Sequence, residues 1–236
     1  MARAITAPMR RVRPSVPAAV VACAALTLTL ALGGIGGCRR SSPARSLDLD
    51  LIRVSGDARM RTDRVGDGPF EETATFVLAD AENRAAEGAY VTLGGALVDA
   101  AGADAGTLKP QSLWIPAGAS RTFALVDEER KPRPTAKTAR IEVRGALVPL
   151  DPPRAHIEEL HSFVDRDRII VQAYLVNDAD RPGQIVVIGA FHDGDNRPMT
   201  RPFEILEAAA GSRQVVRFIG PPESRRGTIF VGDVVY

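Results

Sequence analysis

From residue 47 onward the chain alternates apolar and polar positions with a period of two, and β-branched residues crowd the apolar ones. "LDLDLIRV" (47–54) sets Leu47, Leu49 and Leu51 on one face and Asp48 and Asp50 on the other, the repeat of a half-buried strand. The same reading covers "TATFVLAD" (73–80), "AYVTLGGALVD" (89–99), "RTFALVD" (121–127), "ARIEVRGALV" (139–148), "RIIVQAYLV" (168–176), "QIVVIGAFHD" (184–193), "RQVVRFIG" (213–220) and "GTIFVGDVVY" (227–236). Gly, Pro, Asn and Asp punctuate these runs. Helical periodicity is weak, and its best stretches, 85–88 and 157–161, are too short for a long helix. The pattern predicts an all-β chain of short strands, which suits a sandwich.

The second half repeats the first. Residues 77–102 lie over 173–196 at an offset that brings Asn83 onto Asn177 and "GALVD" (95–99) onto "GAFHD" (189–193). Ser120-Arg121 then meets Ser212-Arg213, and "RIEVRGALV" (140–148) meets "TIFVGDVVY" (228–236), so the drift in offset falls in loops. Two domains are expected, at 46–150 and 151–236. They are joined across "VPLDPPRA" (148–155), where Pro149, Pro152 and Pro153 remove three backbone donors and stiffen the chain.

Each unit runs strand, Asn/Asp turn, strand, Gly/Asp turn, later strand, and "IPAGASRTF" (115–123) places a proline, a glycine and a phenylalanine ahead of that later strand. This order resembles bacterial immunoglobulin-like modules of the FxLYD type. "LEAAAGSRQVVRF" (206–218) follows it without the proline. The resemblance implies two tandem immunoglobulin-like β-sandwiches and nothing about chemistry, since its motifs are turn and core motifs.

The first 37 residues differ in kind. Arg10, Arg11 and Arg13 precede the uncharged apolar run 16–32, which ends in small residues, the layout of a secretory signal; translation from Met1 or from Met9 both stay open. "IGGC" (Ile35, Gly36, Gly37, Cys38) resembles the bacterial lipobox. The resemblance implies diacylglycerol on the Cys38 thiol, cleavage after Gly37, acylation of the new amino terminus and, with Arg39 next, outer-membrane delivery. Several acyl chains anchor firmly where one binds only marginally. Residues 1–37 then form a signal peptide and 38–45 a polar tether. The alternatives are an uncleaved single-pass anchor, since residues 16–35 are about long enough to span, and acylation at Cys23 in "VVAC".

Composition narrows the chemistry. The net charge of +1 includes four arginines and no acid in residues 1–37, so the remainder is faintly acidic and no nucleic-acid footprint is expected. Both cysteines lie in the first 38 residues, which excludes a disulfide or a thiol nucleophile in the body. "HIEELH" sets His156 and His161 five apart rather than in a zincin's HExxH, and on one strand they point oppositely. "HDGDN" (192–196) lacks the remaining ligands of a calcium loop and reads as a turn like its partner "DAAGAD" (99–104). The pairs Glu71-Glu72, Glu128-Glu129 and Glu158-Glu159 face opposite ways on strands and read as solvated edge charges. Trp114 reads as a core or inter-sheet plug. Arg181 and Arg197 lie near two turns that would form a small binding surface if they shared one sandwich end.

No catalytic residue, metal or cofactor is expected. The expected function is that of a lipid-anchored cell-envelope protein, a non-catalytic binding or scaffolding module. Its partners are membrane lipid through Cys38, and another envelope protein or itself, with "LDLDLIRV" as a strand available for β-augmentation. A ligand- or carbohydrate-binding module is the alternative, with only 5% aromatic residues to serve it. An enzyme would need a polar cleft between the domains near 148–155.

Overall fold

The computed structural model describes residues 45–66 and 71–236. The signal segment, Cys23, Cys38 and the tether as far as residue 44 lie outside the described residues. The described chain is all-β, with fifteen strands. In the first half these are β1 (Arg45–Ser46), β2 (Ile52–Val54), β3 (Arg59–Val65), β4 (Glu72–Asn83), β5 (Ala89–Asp99), β6 (Asp104–Ile115), β7 (Ser120–Val126) and β8 (Ala136–Val148). The second half contains β9 (Ala155–Asp165), β10 (Arg168–Asn177), β11 (Gly183–His192), β12 (Pro198–Thr200), β13 (Phe203–Ala208), β14 (Arg213–Pro222) and β15 (Arg226–Val235). Among the described residues no helix is long and apolar enough to cross a membrane.

Every pairing is antiparallel, and the order of pairing recurs. In the first half β4 lies between β3 and β7 while β5 lies between β6 and β8. In the second half β10 lies between β9 and β14 while β11 lies between β13 and β15. Registers agree in detail. Ile141 faces Gly95 as Ile229 faces Gly189, and both ladders slip by one residue at the same place, beside Arg144 and beside Gly232. Among the described residues no ladder joins a strand before residue 149 to one after residue 154.

The apolar faces close two cores, and these share a sheet. One cluster holds Val77, Leu93, Leu97, Leu108, Phe123 and Leu125. The other holds Val171, Leu175, Ile185, Val187, Phe191 and Phe218. Ile188, Ala190 and Phe230 belong to the first cluster although they come from β11 and β15, whose alternate residues line the second. The β13–β11–β15 sheet is therefore apolar on both faces, and its outer face packs on the β4, β6 and β7 side of the first sandwich. Such strands read as near-continuous apolar runs, which describes "IVVIGAF" (185–191).

Three sequence expectations change. "LDLDLIRV" is not one strand: Asp48 accepts from the Asp50 backbone N–H and caps a 3-10 turn over Leu49–Leu51, and only Ile52–Val54 pairs, with β4. Buried Ile52 fixes that short strand in the first core, so the segment is not a free strand for β-augmentation. Ser120-Arg121 does not meet Ser212-Arg213. The backbone N–H of Asn83 donates to the Ala119 carbonyl where that of Asn177 donates to the Ser212 carbonyl, so Ser120 corresponds to Arg213. The gap in this loop is one residue shorter than the serine match suggested.

The third change concerns β9. A bulge at Glu159, whose φ is 49°, inserts one residue between Glu158 and His161. His156 then faces Val176 and His161 faces Gln172, so the two imidazoles share a face instead of opposing. They are four partner residues apart, roughly 13 Å, too far to hold one ion.

Candidate functional site

The densest polar constellation lies where the two halves meet. Asp80, toward the C-terminal end of β4, points away from the first core, and Thr122 faces it across the ladder. The Thr122 hydroxyl donates to Asp80 Oδ1 at 2.5 Å, and His192 Nε2 lies 2.9 Å from Asp80 Oδ2. His192 closes β11 and is 3% exposed, and its Nδ1 has no hydrogen-bond partner among the described residues. Three arginines complete the clasp. Arg59 Nη2 is 3.3 Å from Asp193 Oδ2, Arg61 Nη1 donates to the Met199 carbonyl at 2.8 Å, and Arg201 Nε donates to the Thr122 carbonyl at 2.7 Å.

Arg121 begins the core-facing row of β7, and its guanidinium lies 4.9 Å from the centroid of the Phe230 ring. Its Nε is buried without a partner, and burial pushes the group down to about 10; Arg201 is pushed to about 10 by the same cause. Neither has a carboxylate within 4.0 Å among the described residues. A buried cation without a counter-charge is costly, and here the Phe230 ring face offsets part of that for Arg121.

Beside these groups opens a cleft of about 430 Å³ lined by residues of both halves, among them Arg53, Asp80, Arg121, Thr122, His192 and Arg226. None of its lining residues comes from 148–155. Chemically the row is hydroxyl, carboxylate, imidazole. The carboxylate stands between the other two, so the imidazole's hydrogen bond goes to Asp80 and not to the Thr122 hydroxyl. The geometry of an activated nucleophile would need the imidazole on the hydroxyl.

Of the residues singled out in the sequence, His192, Asp193 and Asn196 of "HDGDN" belong to this region, and the others fall elsewhere. Arg181 lies before β11, 5.3 Å from the Tyr236 ring, and Arg197 lies after it, paired with Asp195 at 3.4 Å. The whole length of β11, roughly 30 Å, separates them, so they do not share a sandwich end. Trp114 lies outside both cores, and it lines a small crevice with Ile157, Leu160 and Phe230 of the second half, so only the core alternative of its reading is set aside. It sits half-buried on the outer pleat of β6, its ring 5.5 Å from that of Tyr90, over Gly88, where a Cβ would come within 2.3 Å of the indole.

Glu158 and Glu159 do not diverge, because the bulge brings both to Arg213, at 3.6 and 2.6 Å. Glu71 pairs with Arg64, and Glu129 with Lys131 and Arg133. His156 lies between Glu158 and Asp178 and is 43% exposed at its side chain. "HDGDN" is a turn in which Asp193 Oδ1 accepts from the Asp195 and Arg197 backbone N–H groups, as Asp99 Oδ1 accepts from those of Ala101 and Ala103. Among the described residues no group of three or more His, Cys, Asp or Glu side chains is placed to hold a metal.

Asp80, Arg121 and Thr122 escaped the sequence reading. Their signal was the mismatch between repeats. Where Asp80 faces Thr122, the second half sets Tyr174 against Val215, and where the second half has His192 the first has Val98. Positions at which a duplicated sandwich departs from itself mark the surface where its copies meet.

Comparison with protein-family models finds no match to this chain. None of the curated proteins matches its sequence.

Proposed function

We propose that this chain is a lipid-anchored cell-envelope protein whose two immunoglobulin-like sandwiches, of FxLYD type, form a non-catalytic binding or scaffolding module. The anchoring part rests on the arginines, apolar run and "IGGC" ahead of a polar tether. The recurring order of pairing supports a duplicated sandwich.

The observation that carries the binding part is an uncovered face. In the first half the outer face of β4 and β7 is covered by the second half, leaving Leu78 1% and Thr122 2% exposed. On the matching face of β10 and β14, with β9 beside them, several apolar side chains are left exposed among the described residues, although Ile170 is buried there. Val215 and Ile219 are each 55% exposed there and Phe163 45%. Tyr174 lies on the same face, with the Arg213 guanidinium 3.4 Å from its ring centroid. Apolar side chains clustered on one sheet face mark an interaction surface. The partner is another envelope protein or a second copy, and it docks face to face rather than by the strand addition expected from residues 47–54.

A photo-reactive residue at position 215, in the envelope of a bacterial host, tests this. Crosslinking to one defined partner or to a second copy, above that from exposed Arg140 on β8, is the expected result. Equal crosslinking from both positions contradicts the proposal.

A further inference from the structure

The arginines of the interface cleft carry charge that no carboxylate of the described residues neutralises. Arg53, Arg121 and Arg226 line it, and none has a carboxylate within 4.0 Å among the described residues. The acids on the same wall are mostly engaged: Asp80 with Thr122 and His192, and Glu82 with Arg84 at 3.0 Å. Asp57, at the mouth, is the remaining acid. Two residues that line the cleft each carry a buried nitrogen, Arg121 Nε and His192 Nδ1, with no hydrogen-bond partner among the described residues. Buried polar atoms in folded proteins are nearly always satisfied, so orphaned nitrogens in two residues that line one cleft set this region apart from the rest of the fold.

We propose that this cleft binds a small oxyanion-bearing molecule, with Arg121, Arg226 and Arg53 as its cationic contacts. Guanidinium groups present planar forks that match phosphate and carboxylate oxygens. The size of the cleft suits a small ligand. Arg121 gains the counter-charge that the fold withholds. Because the contacts come from both halves, ligand and interface stabilise one another. This inference is independent of the docking face on β10 and β14, and either stands without the other.

The test is thermal unfolding of the full chain in detergent with inorganic phosphate, with acetate, and with chloride at matched ionic strength. The expected result is a saturable rise in Tm with phosphate or acetate and none with chloride, and the two arms separate a phosphate ligand from a carboxylate ligand. Arg226→Gln and Arg53→Gln, both on the exposed rim, are expected to weaken the response by about tenfold each. Arg121→Gln is expected to abolish it. A flat response to both anions overturns the proposal. So does a response that all three variants retain, which would leave Arg121 as a strut against Phe230 only.

Discussion

Asn83 and Asn177 make equivalent side-chain hydrogen bonds in the two halves of the chain, with one more, to Ala209, at Asn177. Each is fully buried. Asn83 Nδ2 donates to the carbonyls of Glu87 and Ile115, at 2.8 and 3.0 Å, while its Oδ1 accepts from the Ala85 N–H. Asn177 Nδ2 donates to the carbonyls of Arg181, Ala208 and Ala209, and its Oδ1 accepts from the Ala179 N–H. One side chain in each half thus ties a strand end, its turn and the opposite sheet. Only an amide offers two donors and an acceptor in that shape. Replacing either by alanine strands buried carbonyls and is expected to cost about 2–3 kcal/mol. Urea unfolding of Asn83→Ala and Asn177→Ala measures it, and Asn→Asp, which keeps the acceptor and loses the donors, should not rescue.

The first sandwich has a second such fixture. Asp127 has a side-chain exposure of 0% and is held by Arg133 through Nε at 2.6 Å and Nη2 at 3.0 Å. Removing the arginine leaves a buried charge without its partner, so Arg133→Ala should cost about 3–5 kcal/mol. Arg133→Met combined with Asp127→Leu should recover much of that, as read by denaturant midpoints.

The shared sheet predicts cooperativity. Phe230 is 1% exposed and lies in the core of the other half. Phe230→Ala should therefore cost about 3–5 kcal/mol, and calorimetry of the intact protein should show one transition. Residues 151–236 expressed alone would expose Ile188, Ala190 and Phe230, and should self-associate on size-exclusion chromatography.

Acid should loosen the junction. The Arg197 backbone N–H, above all, with the Asp195 N–H and the charges of Arg59 and Arg197, holds the Asp193 carboxyl below the usual aspartate range. Its folded value lies below its unfolded one, so its contribution is fully present above the unfolded value and is lost as pH falls through the folded one. Stability should decline on acidification below the ordinary aspartate range, and Asp193→Asn should flatten that decline in a pH series of thermal midpoints.

How much of this was legible in the sequence varied with the range of the forces involved. Strands over 73–80, 89–99 and 168–176 follow from alternation and β-branched residues, which act locally. The asparagine turns were visible because a duplicated chain prints them twice. The strict alternation of "LDLDL" misled, because Asp48 spends its carboxylate on a local cap, which competes with strand pairing. The bulge at Glu159 could not be read either, since a single extra residue in β9 shows only against its partner β10. The junction was hidden for a further reason. Phe230 and Ile188 look like ordinary strand residues, and only the two-sided apolar run of β11 indicates that a second layer covers them.

The proposed anchor at Cys38 would set where all of this operates. The most direct measurement is the intact mass of the protein recovered from the membrane fraction of a bacterial host, with Cys38→Ser beside it. The account predicts a mass for a chain beginning at Cys38 plus its acyl groups, and loss of that species in the variant. A mass that retains the residues before Cys38, unchanged by the substitution, would contradict it and leave the apolar run 16–32 as an uncleaved anchor.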